Sequence, residues 1–197
     1  MVVRVEDVVA RDGDLVVRLM RDERADYELM SRWLSDDRIL EFYEGRDNPL
    51  SVEGAEEKYG PRSRGEGAVS SCILELDRRP IGYLQFYRTD DFEEWRTLIG
   101  LEPDPERYSV DIFIGEPELW NQGLGTRALR SVLEHLFGVR HASLAVITPF
   151  AWNERAIRCY EKAGFRRVRF LPEVEMHEGK LQDEWLMVVD RPSAPDS

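Results

Sequence analysis

Apolar and polar positions follow two different periods along this chain, and the change of period divides it. Leu15 to Met20 (LVVRLM) is a short apolar run with adjacent valines and reads as a first strand, after a ragged lead-in over residues 1–13. Tyr27, Met30, Trp33 and Leu34 then recur at spacings of three and four, an amphipathic helix with Asp22 as its N-cap. A short helix through Ile39, Leu40 and Tyr43, capped by Ser35 or Asp36, keeps that period. So does a third over Val52, Ala55 and Tyr59, opened by Ser51 and stopped by Gly60-Pro61. From residue 68 the period falls to two. AVSSCILEL and IGYLQFY are two strands around the turn at Asp77-Arg78-Arg79-Pro80, and RYSVDIFI (107–114) is another. Alternation in that strand puts Tyr108, Val110, Ile112 and Ile114 on one face and Ser109, Asp111 and Phe113 on the other. Residues 90–106 between them read as an acidic loop.

The helical period returns after Gly115. Leu129, Val132, Leu133 and Leu136 form the stripe of a helix over about 126–137; SLAVI (143–147) is a strand; Asn153 to Ala163 is a helix closed by Gly164. Strands over 165–170 and 184–189 complete the chain before a frayed tail, 191–197. Helices, an antiparallel meander and then strand–helix–strand–helix–strand predict one α/β domain. Its core is a mixed sheet of about six or seven strands with helices on both faces.

Composition narrows the chemistry. The net charge of -12 disfavours nucleic acid as a partner and favours a cationic one. The charge is uneven: from Gly123 to Phe170 nine Lys/Arg stand against three acids. An anionic ligand on that segment and a cationic ligand elsewhere would account for both facts. Two cysteines, Cys72 and Cys159, and three scattered histidines predict no disulfide framework and no metal site. No apolar stretch reaches membrane-spanning length and the first residues do not read as a signal peptide, so a cytoplasmic protein is expected, as a monomer or homodimer.

Two segments carry chemistry. In DIFIGEPELWNQGLGTRALR a strand runs into glycines at a helix start, where bare backbone N–H groups bind phosphate oxygens. The second is NERAIRCYEKAGF, Asn153 to Phe165. Together they resemble the acyl-CoA-binding motifs of the GCN5-related N-acetyltransferase (GNAT) superfamily. Gly123-Leu124-Gly125 matches the end of its R/Q-x-x-G-x-G/A loop. Asn153, Ala156, Tyr160, Gly164 and Phe165 match its N-x-x-A-x-x-x-Y-x-x-x-G-F helix. The first loop position falls on Trp120 rather than Arg or Gln, leaving Gln122 or Arg127 to supply that phosphate contact.

The resemblance implies acetyl-CoA as donor. It implies a gap between strands 107–114 and 143–147 for the pantetheine arm, paired with backbone at Phe113 and Ile114. Gln122 to Arg127, including Thr126, would surround the pyrophosphate, with Asn153 and Ile157 on the second helix. Tyr160 would protonate the departing thiolate.

ERADYELMSRWL, FYEG, PIGYLQFY, VDIFIG and RAIRCYEKAGF further resemble the aminoglycoside 6′-N-acetyltransferases. That resemblance implies Asp111 beside the reacting amine, Gln85 on the substrate side, Tyr43 and Tyr59 lining the sugar site, and Asp183 or Glu184 as a further carboxylate. A polycation needs carboxylates around it, and Asp90, Asp91, Glu93, Glu94, Glu102 and Asp104 precede the Asp111 strand. Three readings follow: an aminoglycoside 6′-acetyltransferase, the same chemistry on a siderophore hydroxylysine, polyamine or protein amine, and a non-catalytic aminoglycoside-binding domain. For Asp111 the rival to a catalytic role is a buried salt bridge to an arginine.

Overall fold

A computed structural model describes residues 7–192. Eight strands form one sheet in the order β1 (Val8–Asp12), β2 (Leu15–Leu19), β3 (Ser70–Leu76), β4 (Arg79–Arg88), β5 (Arg107–Ile114), β6 (Leu144–Ile147), β8 (Lys180–Asp190), β7 (Arg166–His177). All neighbours are antiparallel except β5 and β6. The helices are α1 (Arg24–Trp33), α2 (Asp37–Leu40), α3 (Val52–Ser63), α4 (Glu93–Leu98), α5 (Leu124–Gly138) and α6 (Glu154–Ala163).

The sheet has helices on both faces. Met30, Trp33 and Tyr59 from α1 and α3 pack with Ile73 and Tyr83 on one side. Leu129, Val132 and Leu136 of α5 and Ile157 of α6 pack with Val17, Leu84 and Val110 on the other. The alternation read from β5 holds: Val110, Ile112 and Ile114 meet the α5 side, Phe113 the α1–α3 side. Arg18, a charge inside β2, is fully buried and held by both oxygens of Asp26 (2.7 and 2.8 Å) and by Glu75 (2.6 Å), which ties β2, α1 and β3 together.

Several expectations give way. The lead-in contains β1, joined to β2 by a two-residue Gly13-Asp14 turn with Gly13 at φ 59°, a conformation suited to glycine. Residues 1–6 and most of the tail, 193–197, lie outside the described residues. The two closing strands extend into a long β7–β8 hairpin around Glu178-Gly179, both at positive φ, and β1 brings the strands among the described residues to eight. The acidic segment 90–106 is not all loop. A 3-10 turn and α4 form there because Trp95 and Ile99, one turn apart, pack against Val146, Leu171 and Leu186. The N-cap of α1 is Glu23, and Asp22 instead accepts from the Tyr27 hydroxyl. Helix α3 runs past Pro61 to Ser63: a proline near a helix end removes one hydrogen bond and leaves the last turn intact.

Beyond Ser109, β5 and β6 part. Their parallel pairing covers only Arg107, Tyr108 and Ser109 against Leu144, Ala145 and Val146, while β4 follows β5 as far as Ile114. The end of β5 therefore has a bare edge facing α6.

Candidate active site

Two clefts open from this gap. The first, about 310 Å³, lies between the end of β5, the start of α5 and one side of α6. The strand-to-helix turn makes its floor. Gly123 has φ 79° and caps α5, so the first amides of that helix have no carbonyl partner within it. No atom lies within 4 Å of where a Gly123 Cβ would stand. The side chain of Asn153 accepts from the amide of Ala156 (3.1 Å) and fixes the start of α6. That helix sends Arg155, Arg158 and Lys162 to the cleft wall. Arg155 lies 3.8 Å from the Trp120 ring centroid and 4.4 Å from that of Phe42. Bare amides and three cations suit an anion, and the apolar wall of Ile112, Ile114 and Leu124 suits an uncharged chain.

The second cleft, about 520 Å³, carries the opposite charge. Glu44, Asp111, Glu175 and Glu184 line it, with Tyr43, Tyr87 and Trp95 among the aromatics. Glu184 is only 4% exposed, and its Oε2 has no hydrogen-bond partner among the described residues. Burial, then the neighbouring Glu175 charge, pushes its carboxyl up to about 8. Burial also raises Asp111, offset by the Gln85 amide that donates to Asp111 Oδ2 at 2.7 Å. No ion pair among the described residues involves Asp111, so the salt-bridge reading of this residue fails. Tyr160 and Ile112 line both clefts. Burial drives the Tyr160 phenol well above its ordinary value, so it stays protonated and can donate.

The residues singled out from sequence divide. Phe113, Ile114, Gly123, Leu124, Gly125 and Thr126 line the first cleft; Tyr43, Asp111 and Glu184 line the second; Asn153 and Tyr160 belong to both. Others lie elsewhere. Arg127 turns away to Asp12 and Asp14 (2.7 and 2.6 Å), which the unforeseen β1–β2 turn places beside it. Gln122 is exposed and donates to the Glu118 carbonyl, and Asn121 takes the place at the cleft. Ile157 is a fully buried core residue, and Tyr59 is enclosed by the aromatic packing around Tyr83. Gln85 stands behind Asp111 rather than on the cleft wall. Asp183 points to the amide of Glu173.

From the acidic segment only Trp95 reaches the cleft. Asp90 caps the amide of Asp104, and Glu93 is exposed. The acids that do line it come from β5, the α2–α3 loop and the β7–β8 hairpin. Of the residues missed, Arg155 had a sequence signal, being a cation in the first turn of the motif helix. Glu44 and Glu175 had none, because long-range pairing places them.

The family model described as the acetyltransferase (GNAT) domain matches residues 22–172. The aminoglycoside N(6′)-acetyltransferase type 1 of Klebsiella pneumoniae is 32% identical over 162 residues, 81% of this chain and 78% of that protein. The crystal structure of aminoglycoside acetyltransferase AAC(6′)-Ib with coenzyme A and kanamycin superposes with a TM-score of 0.75 at 28% identity. That match covers 90% of this chain and 95% of the other. A spermidine N-acetyltransferase from Vibrio cholerae, 19% identical with a TM-score of 0.72 over 91% of this chain and 97% of its own, shares the fold.

Proposed function

The chain belongs to the GNAT acetyltransferase family and is an acyltransferase, and we propose that it moves the acetyl group of acetyl-CoA onto the 6′-amine of an aminoglycoside. The observation that carries this reading is the meeting of two clefts of opposite character at Tyr160 and Ile112. A ligand with phosphates at one end and a thioester at the other fits the first. The open left-handed turn at Gly123 leaves room for the phosphates, and the bare edge of β5 offers backbone partners to its amide-bearing arm. A polyammonium acceptor fits the second, since four carboxylates line it.

Acetyl-CoA supplies an activated acyl group; the protein supplies placement and proton transfer. Asp111 receives a proton from the acceptor ammonium and frees the nitrogen lone pair for attack on the carbonyl carbon. Tyr160 donates its proton to the sulfur as the carbon–sulfur bond breaks. Nitrogen loses two protons on becoming an amide. One leaves through Asp111 to solvent, and the other replaces the proton that Tyr160 gave to the thiol. Glu184, Glu175 and Glu44 hold the remaining ammonium groups, and Tyr43 gives a sugar ring an apolar face.

The same carboxylates would accept a linear polyamine, so the test compares acceptors. Thiol release from acetyl-CoA is measured with kanamycin and with spermidine, and the site of acetylation is located by fragment masses. Release with kanamycin and acetylation at the 6′-nitrogen support the proposal. Release with spermidine alone replaces the acceptor, and binding without release leaves a non-catalytic binding domain.

A further inference from the structure

Ser71, Gln85 and Asp111 are cross-strand neighbours in one row over β3, β4 and β5. The Gln85 carbonyl oxygen accepts two hydrogen bonds, from Arg62 at 2.9 Å and from the Tyr83 hydroxyl at 2.8 Å. Tyr83 is fully buried and its oxygen lies 2.7 Å from the Ser71 hydroxyl. The Gln85 nitrogen is thereby directed at Asp111 Oδ2. Arg62 fixes this orientation most strongly. A guanidinium has no acceptor, so an amide turned the other way would set N–H against N–H and carbonyl oxygen against carboxylate. Arg62 belongs to no ion pair among the described residues. Its other contact is with the Tyr59 ring, 5.3 Å away. A cation beside an acidic site is thus spent on an amide.

We propose that Arg62 and Tyr83 are positioning residues for acyl transfer: together they lock the Gln85 amide so that it holds one oxygen of Asp111 and leaves the other to the acceptor amine. The inference rests on the proton-accepting role assigned to Asp111 above. The spacer matters. An arginine paired directly with Asp111 would bind the carboxylate as a permanent ion and weaken it as a base. Acting through an amide, Arg62 steadies the ionised form against the other charges that face it. Those are Glu44 from the α2–α3 loop, itself paired with Lys58 at 2.6 Å, and Glu175 and Glu184 from β7 and β8; the protonated phenols of Tyr43, Tyr87 and Tyr160 also face it. Tyr59 and Tyr83 complete the surround on the α3 side.

The test reads Asp111 directly. Its side-chain carbon is followed by NMR against pH in protein labelled with carbon-13 aspartate, with Asp111→Asn assigning the signal. In Arg62→Met the Asp111 midpoint should rise by about one pH unit. Tyr83→Phe should move it the same way by less. Arg62→Lys, which keeps a donor, should restore it. The acid limb of kcat/KM for kanamycin should shift with the midpoint, while acetyl-CoA affinity stays unchanged. A merely structural role would lower the melting temperature and leave the midpoint in place. An unchanged midpoint in Arg62→Met and Tyr83→Phe overturns the proposal. A wild type that acetylates no kanamycin overturns the functional reading instead, and the titration still decides the role of Arg62.

Discussion

The guanidinium of Arg155 lies 3.8 Å from the centroid of the Trp120 ring, within the cleft that holds the start of α5. Trp120 occupies the loop position where the family pattern has Arg or Gln. The cation absent from the loop therefore arrives from the facing helix and rests on the residue that displaced it. Phe42 adds a second ring at 4.4 Å, so Arg155 is held by flat surfaces and keeps its N–H groups for a ligand.

Arg155→Ala should raise the Kd for acetyl-CoA about tenfold, the scale of one charge-assisted contact. Arg155→Lys should recover part of the loss, since lysine keeps the charge but not the planar stacking. Calorimetry with acetyl-CoA checks both. Arg127→Ala should leave the Kd nearly unchanged, because Arg127 faces Asp12 and Asp14.

Gly123→Ala should destabilise the protein by about 1–2 kcal/mol through its left-handed φ rather than through a clash. That corresponds to a fall in melting temperature of roughly 2–8 °C for a chain of this size. Gly123→Asn should cost less, because asparagine tolerates that conformation. Thermal unfolding of the two variants separates strain from steric exclusion, which would make asparagine the worse of the two.

Glu184 sets a pH dependence of stability. Its folded value, about 8, lies above the ordinary 4.5, so folding favours the protonated form. The stability it lends is complete below about 4.5 and is lost as pH rises toward 8. Glu184→Gln should therefore match the wild type in melting temperature near pH 4.5 and exceed it at pH 9. Saturating kanamycin should narrow the gap, since an ammonium stabilises the ionised carboxylate. A gap independent of pH would contradict this assignment.

Much of the first cleft was legible in the sequence because its parts are local. A glycine at a helix start, an N-cap asparagine and a tyrosine two turns into the same helix keep their relations wherever the helix lies. Asp111 was legible by alternation along β5, a relation one strand long. The second cleft was legible only in part: Tyr43, Asp111 and Glu184 were named through the family resemblance and line it, but the other acids were not. Glu44 and Glu175 are far apart in sequence, and they meet only because the β7–β8 hairpin is longer than its apolar run shows. The acids that the sequence placed near the substrate, Asp90 to Asp104, go to capping, to ion pairs with Arg96 and Arg107, and to solvent. Arg62 escaped notice for another reason: Gly60-Pro61 reads as a helix stop, yet one more turn of α3 brings Arg62 against Gln85.

Tyr160→Phe should lower kcat for acetyl transfer by about 10²-fold while leaving the Kd for acetyl-CoA within a factor of a few. In the proposed mechanism the phenol acts where charge develops on sulfur and not on the bound thioester. Single-turnover transfer with kanamycin reads the chemical step. Equal rates in the two proteins would return Tyr160 to the role of a core aromatic.

Asp111 is proposed to accept the proton of an aminoglycoside amine that attacks acetyl-CoA. The most direct measurement is thiol release from acetyl-CoA on addition of kanamycin, run side by side on the wild type and on Asp111→Asn, with melting temperature and acetyl-CoA affinity taken on the same samples. Asparagine keeps the shape and can still meet Gln85, and among the described residues no salt bridge is lost with the charge. Rapid release by the wild type and a fall of about 10²–10⁴ in the variant are expected, with fold and acetyl-CoA binding intact. Undiminished release by a folded Asp111→Asn, or none from the wild type, would contradict the proposal.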